Sequence, residues 1–214
     1  VRGLFEAAVR HKPSIIFIDE CDALGTMRTE GESDATRRLK NELLVRMSSA
    51  PEGVLVLGAT NMPWELDPAM RRRFERRVYV PLPDATAREA LLRTHLGATP
   101  HSLTDADLRS LSRRTEGLSG ADVSVLVRDA LMTPLREMQE GTHFKKTSAG
   151  MWEPCDRGVR GAKPMSLMHV PPHELAQPLC SFAHFESALT RTRPSVSRDE
   201  IKRHELFDRE YGAG

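Results

Sequence analysis

Ser14-Ile15-Ile16-Phe17-Ile18-Asp19-Glu20 sets the terms for this chain, because four successive apolar residues run directly into two adjacent carboxylates. A run without polar alternation reads as a strand buried on both faces, as a parallel sheet covered by helices requires. Such strands end at the carboxyl edge of the sheet, where open α/β folds place their ligands. Two acids at that edge can hold a hydrated divalent cation with one carboxylate and activate a water with the other. The plainer alternative is a buried strand that surfaces into a charged loop.

A second apolar run, Val54-Leu55-Val56-Leu57-Gly58-Ala59-Thr60, follows a helical pattern from about Asp34 to Ser49. Strand, helix and strand, with both strands fully hydrophobic, make a parallel crossover unit. Asn61 comes immediately after the second run and should arrive at the same edge as Asp19 and Glu20. Its amide could serve a phosphate oxygen or an attacking water; it could equally cap the turn before Pro63. Val78-Tyr79-Val80 is a candidate third strand, ended by Pro81 and Pro83.

Beyond Asp84 the pattern is helical. Thr104 with Asp107, and Ser119 with Asp122, fit capping boxes, and Pro134 should bend or end the helix that the second of them starts. Residues 145–180 are rich in Gly and Pro with short β-type pieces such as Ser166 to Val170, which suggests a small inserted hairpin unit. Helix returns from about Phe182 to Arg191, and Ser197 with Glu200 opens a terminal helix.

Composition narrows the function classes. An aromatic content of 5% is too thin for a base-stacking nucleic-acid surface. A formal net charge of +1 favours neither a polyanion nor a protein partner. No apolar run is long enough to span a membrane. Three widely spaced cysteines argue against a disulfide framework. Cys155, His169, His173 and Cys180 lack zinc-knuckle spacing, and Pro171-Pro172 splits the histidines. Val1 is not an initiator Met and helix begins at once, so the chain reads as the downstream part of a longer protein.

Arg71-Arg72-Arg73-Phe74-Glu75-Arg76-Arg77 places five arginines in seven positions. It could be a nucleic-acid patch diluted by acids, a solvated helix end, or a set of guanidinium groups aimed at an anion. Guanidinium stays charged and forks onto phosphate, which suits charge developing on a transferred phosphoryl group.

Together these segments resemble the AAA ATPases. Ile15 to Glu20 is similar to a Walker B strand, Asn61 stands in the sensor-one position, and Arg71-Arg72-Arg73-Phe74 resembles the second region of homology. Gly58-Ala59-Thr60-Asn61 and Gly117-Leu118-Ser119-Gly120-Ala121-Asp122 narrow the resemblance to the meiotic clade. Arg76 to Asp84, Thr142-His143-Phe144, the insert and Thr192 to Val196 narrow it to the vacuolar-protein-sorting subfamily. The resemblance covers nearly the whole chain and is weakest from 147 to 175.

The resemblance implies a partial P-loop NTPase (AAA) parallel α/β sheet over 1–84 and a helical small (lid) subdomain over 85–214. The latter would carry the β insert at about 145–180 and the C-terminal helix at about 197–211, which in the family packs back on the large domain. It implies ATP and Mg²⁺ as cofactors. Asp19 would hold Mg²⁺ through water, Glu20 would polarise the attacking water, and Asn61 would sense the γ-phosphate. Arg72 and Arg73 would be arginine fingers for a neighbouring subunit, and Gly120 and Ala121 would lie against adenine. Glu30, Gly31, Glu32 and Ser33 would form the second pore loop.

The implied parent is a hexameric ring ATPase that disassembles ESCRT-III polymers, cytoplasmic and peripheral on endosomal membranes. A cofactor protein of the Vta-one/LIP-five type would bind the β insert, and no nucleic acid is implied. A microtubule-severing ATPase of the katanin or spastin kind, which lacks such an insert, is the rival; a purely binding role is another. No Gly-x-x-x-x-Gly-Lys-Ser/Thr occurs in the sequence, so the chain by itself should neither bind nor hydrolyse ATP. The family's aromatic first pore loop and N-terminal microtubule-interacting-and-transport domain are also missing.

Overall fold

The computed structural model describes residues 1–25, 34–49 and 51–212. They divide into two compact units, Val1–Val80 with Arg198–Gly214, and Pro81–Ser197. The sequence reading drew the boundary near Asp84 and put the terminal helix with the second unit. That helix groups with the first unit, on which the family resemblance packs it.

In the first unit, α1 (Arg2–Arg10) leads into β1 (Ser14–Ile18), α2 (Cys21–Gly25), α3 (Asp34–Ser48), β2 (Val54–Gly58) and the short α4 (Pro68–Arg71). The strands pair in parallel, with Ser14 beside Val54 and Ile18 beside Gly58. One face of this sheet is packed. Ile16, only 3% exposed, joins Phe5, Cys21, Leu43, Leu66 and Met70 in a core that Ile18, Val56 and Phe74 extend. The other face is open: Ile15 is 65% exposed, and its register partner Leu55 and the Phe17–Leu57 pair are exposed as well. The expected burial on both faces is therefore halved, since no described residue packs on that side. Val78-Tyr79-Val80 is extended but is not a strand, and Val78 and Val80 are exposed. An extended segment without a ladder partner cannot join a sheet.

The terminal helix α9 (Arg198–Tyr211) lies on this unit through aromatic contacts. The His204 ring lies 4.9 Å from that of Trp64 and stacks at 6.0 Å on Tyr79. The Arg203 guanidinium stands 3.8 Å over Trp64. Burial, with Glu205 and Asp208 nearby, pushes the Tyr79 hydroxyl pKa above its usual value.

The second unit is built on α5 (Ala85–Leu96), α6 (Asp105–Arg114), α7 (Gly120–Glu140) and α8 (Phe182–Arg191). Leu92, Leu96, Leu108, Leu111, Val123, Leu126, Val127, Ala130 and Phe185 form its core. Both expected capping boxes are present: Thr104 with Asp107 starts α6, and Ser119 with Asp122 starts α7. Each satisfies amide hydrogens that a helix start leaves orphaned, worth about 1 kcal/mol. Pro134 does not end α7; the helix continues to Glu140. The insert is a small antiparallel sheet of β3 (His143–Lys146), β4 (Trp152–Pro154) and β5 (Lys163–Pro164), in the order β4-β3-β5. Phe144, Trp152 and Val170 are its core. Leu167–His169 is a 3-10 turn instead of the β piece expected there. Among the described residues no helix is long and apolar enough to cross a membrane.

Candidate functional site

Because β1 and β2 are parallel neighbours, both deliver their following residues to the same edge. The chain past each strand stays tied there: the Ala59 amide donates to the Ile18 carbonyl (2.9 Å), and the Cys21 amide donates to the Ala59 carbonyl (2.9 Å). These two bonds set Asp19-Glu20 alongside Thr60-Asn61. The expected meeting of the acid pair and the asparagine at one rim is thus built by the backbone.

At this rim Asp19, Glu20 and Asn61 are all exposed. Asp19 Oδ1 accepts the Glu20 amide at 3.0 Å. Glu20 has φ of 48°, unique among the described non-glycine residues in being positive. A side chain in the left-handed region costs free energy and is often found where function fixes the backbone. Neither carboxylate pairs with a cation among the described residues, so both keep acceptor capacity.

These residues fit Mg²⁺ in one respect. That ion keeps several waters and uses one or two carboxylates plus phosphate oxygens in place of a full protein cage. Among the described residues no three His, Cys, Asp or Glu side chains gather as a metal cage. Cys180 is buried in the helical core.

Two contacts that the sequence did not reveal hold the rim. The Thr60 hydroxyl donates to Asp22 Oδ1 and accepts the Met62 amide at 2.9 Å. Asp22 thereby fixes the residues on either side of Asn61. Gly58 provides the second: a Cβ there would lie 2.7 Å from Phe74 Cζ and 3.2 Å from Cys21 Sγ. The missing side chain lets the Phe74 ring press against the end of β2. Burial, with Asp22 nearby, raises the Cys21 thiol pKa, so this thiol packs as a neutral group.

Phe74 also anchors the arginine segment, whose five guanidinium groups separate into two kinds. Arg72, Arg73 and Arg76 are exposed, with no side-chain partner among the described residues. Arg71 and Arg77 are half-buried and engaged with α9. The segment is neither a uniform solvated helix end nor an even basic patch.

In the second unit, Gly120 is the first residue of α7 and Ala121 is exposed beside it. Burial works against ionisation of Asp122, but bonds from the amides and hydroxyls of Ser119 and Ser195 outweigh it and hold the pKa below the usual value. The Ser195 amide reaches Asp122 Oδ2 at 3.2 Å, so the segment after α8 is clamped to the start of α7. Glu30, Gly31, Glu32 and Ser33, expected as a pore loop, lie outside the described residues.

Comparison with known proteins gives the family. Residues 1–82 match the AAA family, "ATPase family associated with various cellular activities". Residues 105–149 match the AAA+ lid domain and 152–212 the Vps4 C terminal oligomerisation domain. Human vacuolar protein sorting-associated protein 4A is 48% identical over 99% of this chain, which spans 52% of that relative. The sea urchin katanin p60 ATPase-containing subunit A1 is 38% identical over 100% of the chain and 39% of its own length. The crystal structure of the FIGL-1 AAA domain superposes with a TM-score of 0.78 at 30% identity, covering 99% of this chain and 62% of that one. The chain thus spans about half the length of the curated relatives it matches. With a parallel sheet that carries an acid pair, a separate helical unit and matches along nearly its whole length, the chain belongs to the AAA ATPase family and carries a Vps4-type C-terminal domain.

Proposed function

We propose that this chain supplies the water-activating, sensing and neighbour-directed parts of a ring ATPase that disassembles ESCRT-III polymers in endosomal sorting. The observation that carries the reading is the shared rim: Asp19, Glu20 and Asn61 follow two hydrogen-bonded parallel strands, and Arg72 and Arg73 stand exposed without partners among the described residues. Bound ATP with Mg²⁺ supplies the phosphoryl group and the charge that the residues work on. In this reading Asp19 holds the hydrated cation and Glu20 polarises the attacking water. Asn61 hydrogen-bonds the terminal phosphate. Arg72 and Arg73 project into the site of an adjoining copy, where such groups are worth about 10³ to 10⁵ in rate.

Gly120 and Ala121, at a helix start with no bulky side chain, would lie against adenine. The pore-loop role of residues 30–33, a hexameric ring, a cofactor protein at the β insert and peripheral residence on endosomal membranes complete the proposal. The match to an oligomerisation domain supports the ring. Because its sequence contains no phosphate-cradling loop, the chain alone should be inactive.

A chimera tests this directly: the part of human vacuolar protein sorting-associated protein 4A that precedes the matched half, joined ahead of this chain. It should hydrolyse ATP and release subunits from assembled ESCRT-III filaments. Hydrolysis with cutting of microtubules and no effect on the filaments would transfer the chain to the severing ATPases. No hydrolysis would leave it a binding module.

A further inference from the structure

Arg77 joins two helix ends. Its Nη1 donates to the carbonyl of Tyr211, the last residue of α9, at 2.8 Å. Its Nη2 donates to the carbonyl of Arg71, the last residue of α4, at 3.1 Å. Both acceptors belong to a final helical turn, where carbonyls have no partner within the helix. The planar guanidinium can fork between two acceptors in a fixed geometry, which a lysine cannot reproduce. Its Nε is buried with no partner among the described residues, so these two bonds alone hold the group.

Arg71 completes the junction from the other side. Its guanidinium stands 4.4 Å over the Tyr211 ring and 6.0 Å from that of Phe207. The chain between the two arginines is therefore closed at both ends against α9. Phe74 pins its middle under Gly58. What remains free on this short closed loop is Arg72, Arg73 and Arg76.

We infer that Arg77 is a positioning residue: braced on the end of α9, it fixes the direction in which Arg72 and Arg73 leave the subunit, so the C-terminal helix sets how one copy completes its neighbour's active site. The inference rests on the reading of Arg72 and Arg73 as groups acting in trans. Side chains that stabilise an anion across a subunit boundary gain rate only if held close to the productive geometry. Two exposed arginines on an unbraced loop would lose that advantage.

Mixed rings of the chimera separate this from a general role in stability. A Glu20→Gln subunit keeps its arginines but cannot hydrolyse. An Arg77→Met subunit keeps its own water-activating rim but misdirects its arginines. Each alone should be at least about tenfold below the parent rate. Mixed in equal amounts, they should regain activity at the sites where an Arg77→Met subunit meets the arginines of a Glu20→Gln neighbour, about a quarter of all sites under random mixing. Arg72→Ala mixed with Glu20→Gln is the control and should recover likewise. Arg77→Lys should resemble Arg77→Met.

Recovery in the control pair but not with Arg77→Met would overturn the inference, as would an Arg77→Met ring at full rate. A fully active Arg72→Ala ring, or a control pair that stays silent, would overturn the trans reading itself and the inference with it. If Arg77→Met fails to fold, truncation after Glu210 removes the Tyr211 carbonyl while sparing Arg77, and the same mixing outcomes decide.

Discussion

Cys180 donates its thiol hydrogen to the carbonyl of Ala130 across 3.5 Å. That carbonyl is the one Pro134 leaves without a helical partner, since proline has no amide hydrogen to give the residue four positions earlier. Ala130 is fully buried, so water cannot take the place of the lost bond. This donor takes up the bond lost where α7 continues past its proline to Glu140. Cys180→Val removes the donor and adds one carbon, and should destabilise the second unit by about 1–3 kcal/mol. Cys180→Ser should recover part of the loss. Denaturant midpoints of the three proteins provide the comparison.

The same contact gives an alkaline signature. Burial pushes the Cys180 pKa from an ordinary 9.0 up to about 11. The folded state therefore binds this proton more tightly than the unfolded chain does. The resulting stabilisation is fully present below pH 9 and is lost as pH rises toward 11. The stability difference between the parent chain and Cys180→Val should shrink over that window and stay flat below it, as urea titrations at successive pH values would record.

Gly58→Ala tests the seat of the arginine segment. The added methyl would meet the Phe74 ring at 2.7 Å and Cys21 Sγ at 3.2 Å, both inside packed surroundings. Overpacking of this kind costs about 1–3 kcal/mol. In the chimera the displaced Phe74 should also lower ATPase activity beyond what the stability loss explains, and mixing with Glu20→Gln subunits should restore part of it.

Asp22 and Thr60 should behave as one unit. Asp22→Ala and Thr60→Val each remove one side of the same bond, so the second change should add little once the first is made. A double-mutant cycle in chimera turnover should show a coupling of about 0.5–2 kcal/mol. Thr60→Ser, which keeps the hydroxyl, should stay close to the parent.

What could be read from the sequence was local. The two apolar runs, the capping pairs at Thr104 and Ser119, and the helix from Phe182 to Arg191 are each decided within a few residues, and each stands where expected. Asp19, Glu20 and Asn61 could be brought together in advance because parallel pairing fixes which ends of two strands coincide. The failures were tertiary. Pro134 could have bent or ended α7, and the donor that answers its missing amide, Cys180, lies far along the chain. Val78 to Val80 has strand chemistry but no ladder to join. The engagement of Arg71 and Arg77 could not be read from the arginine run, because it comes from Tyr211 and Phe207 far along the chain. Nothing adjacent to Gly58 announces that Phe74 will rest against it.

The most direct measurement is nucleotide turnover by the chimera carrying Glu20→Gln. If Glu20 polarises the attacking water, ATP should still bind at close to the parent affinity while hydrolysis falls by about a hundredfold or more. The trapped nucleotide recovered from the protein should be ATP and not ADP. Turnover at the parent rate, with ADP recovered, would contradict the assignment of this rim as the hydrolytic centre.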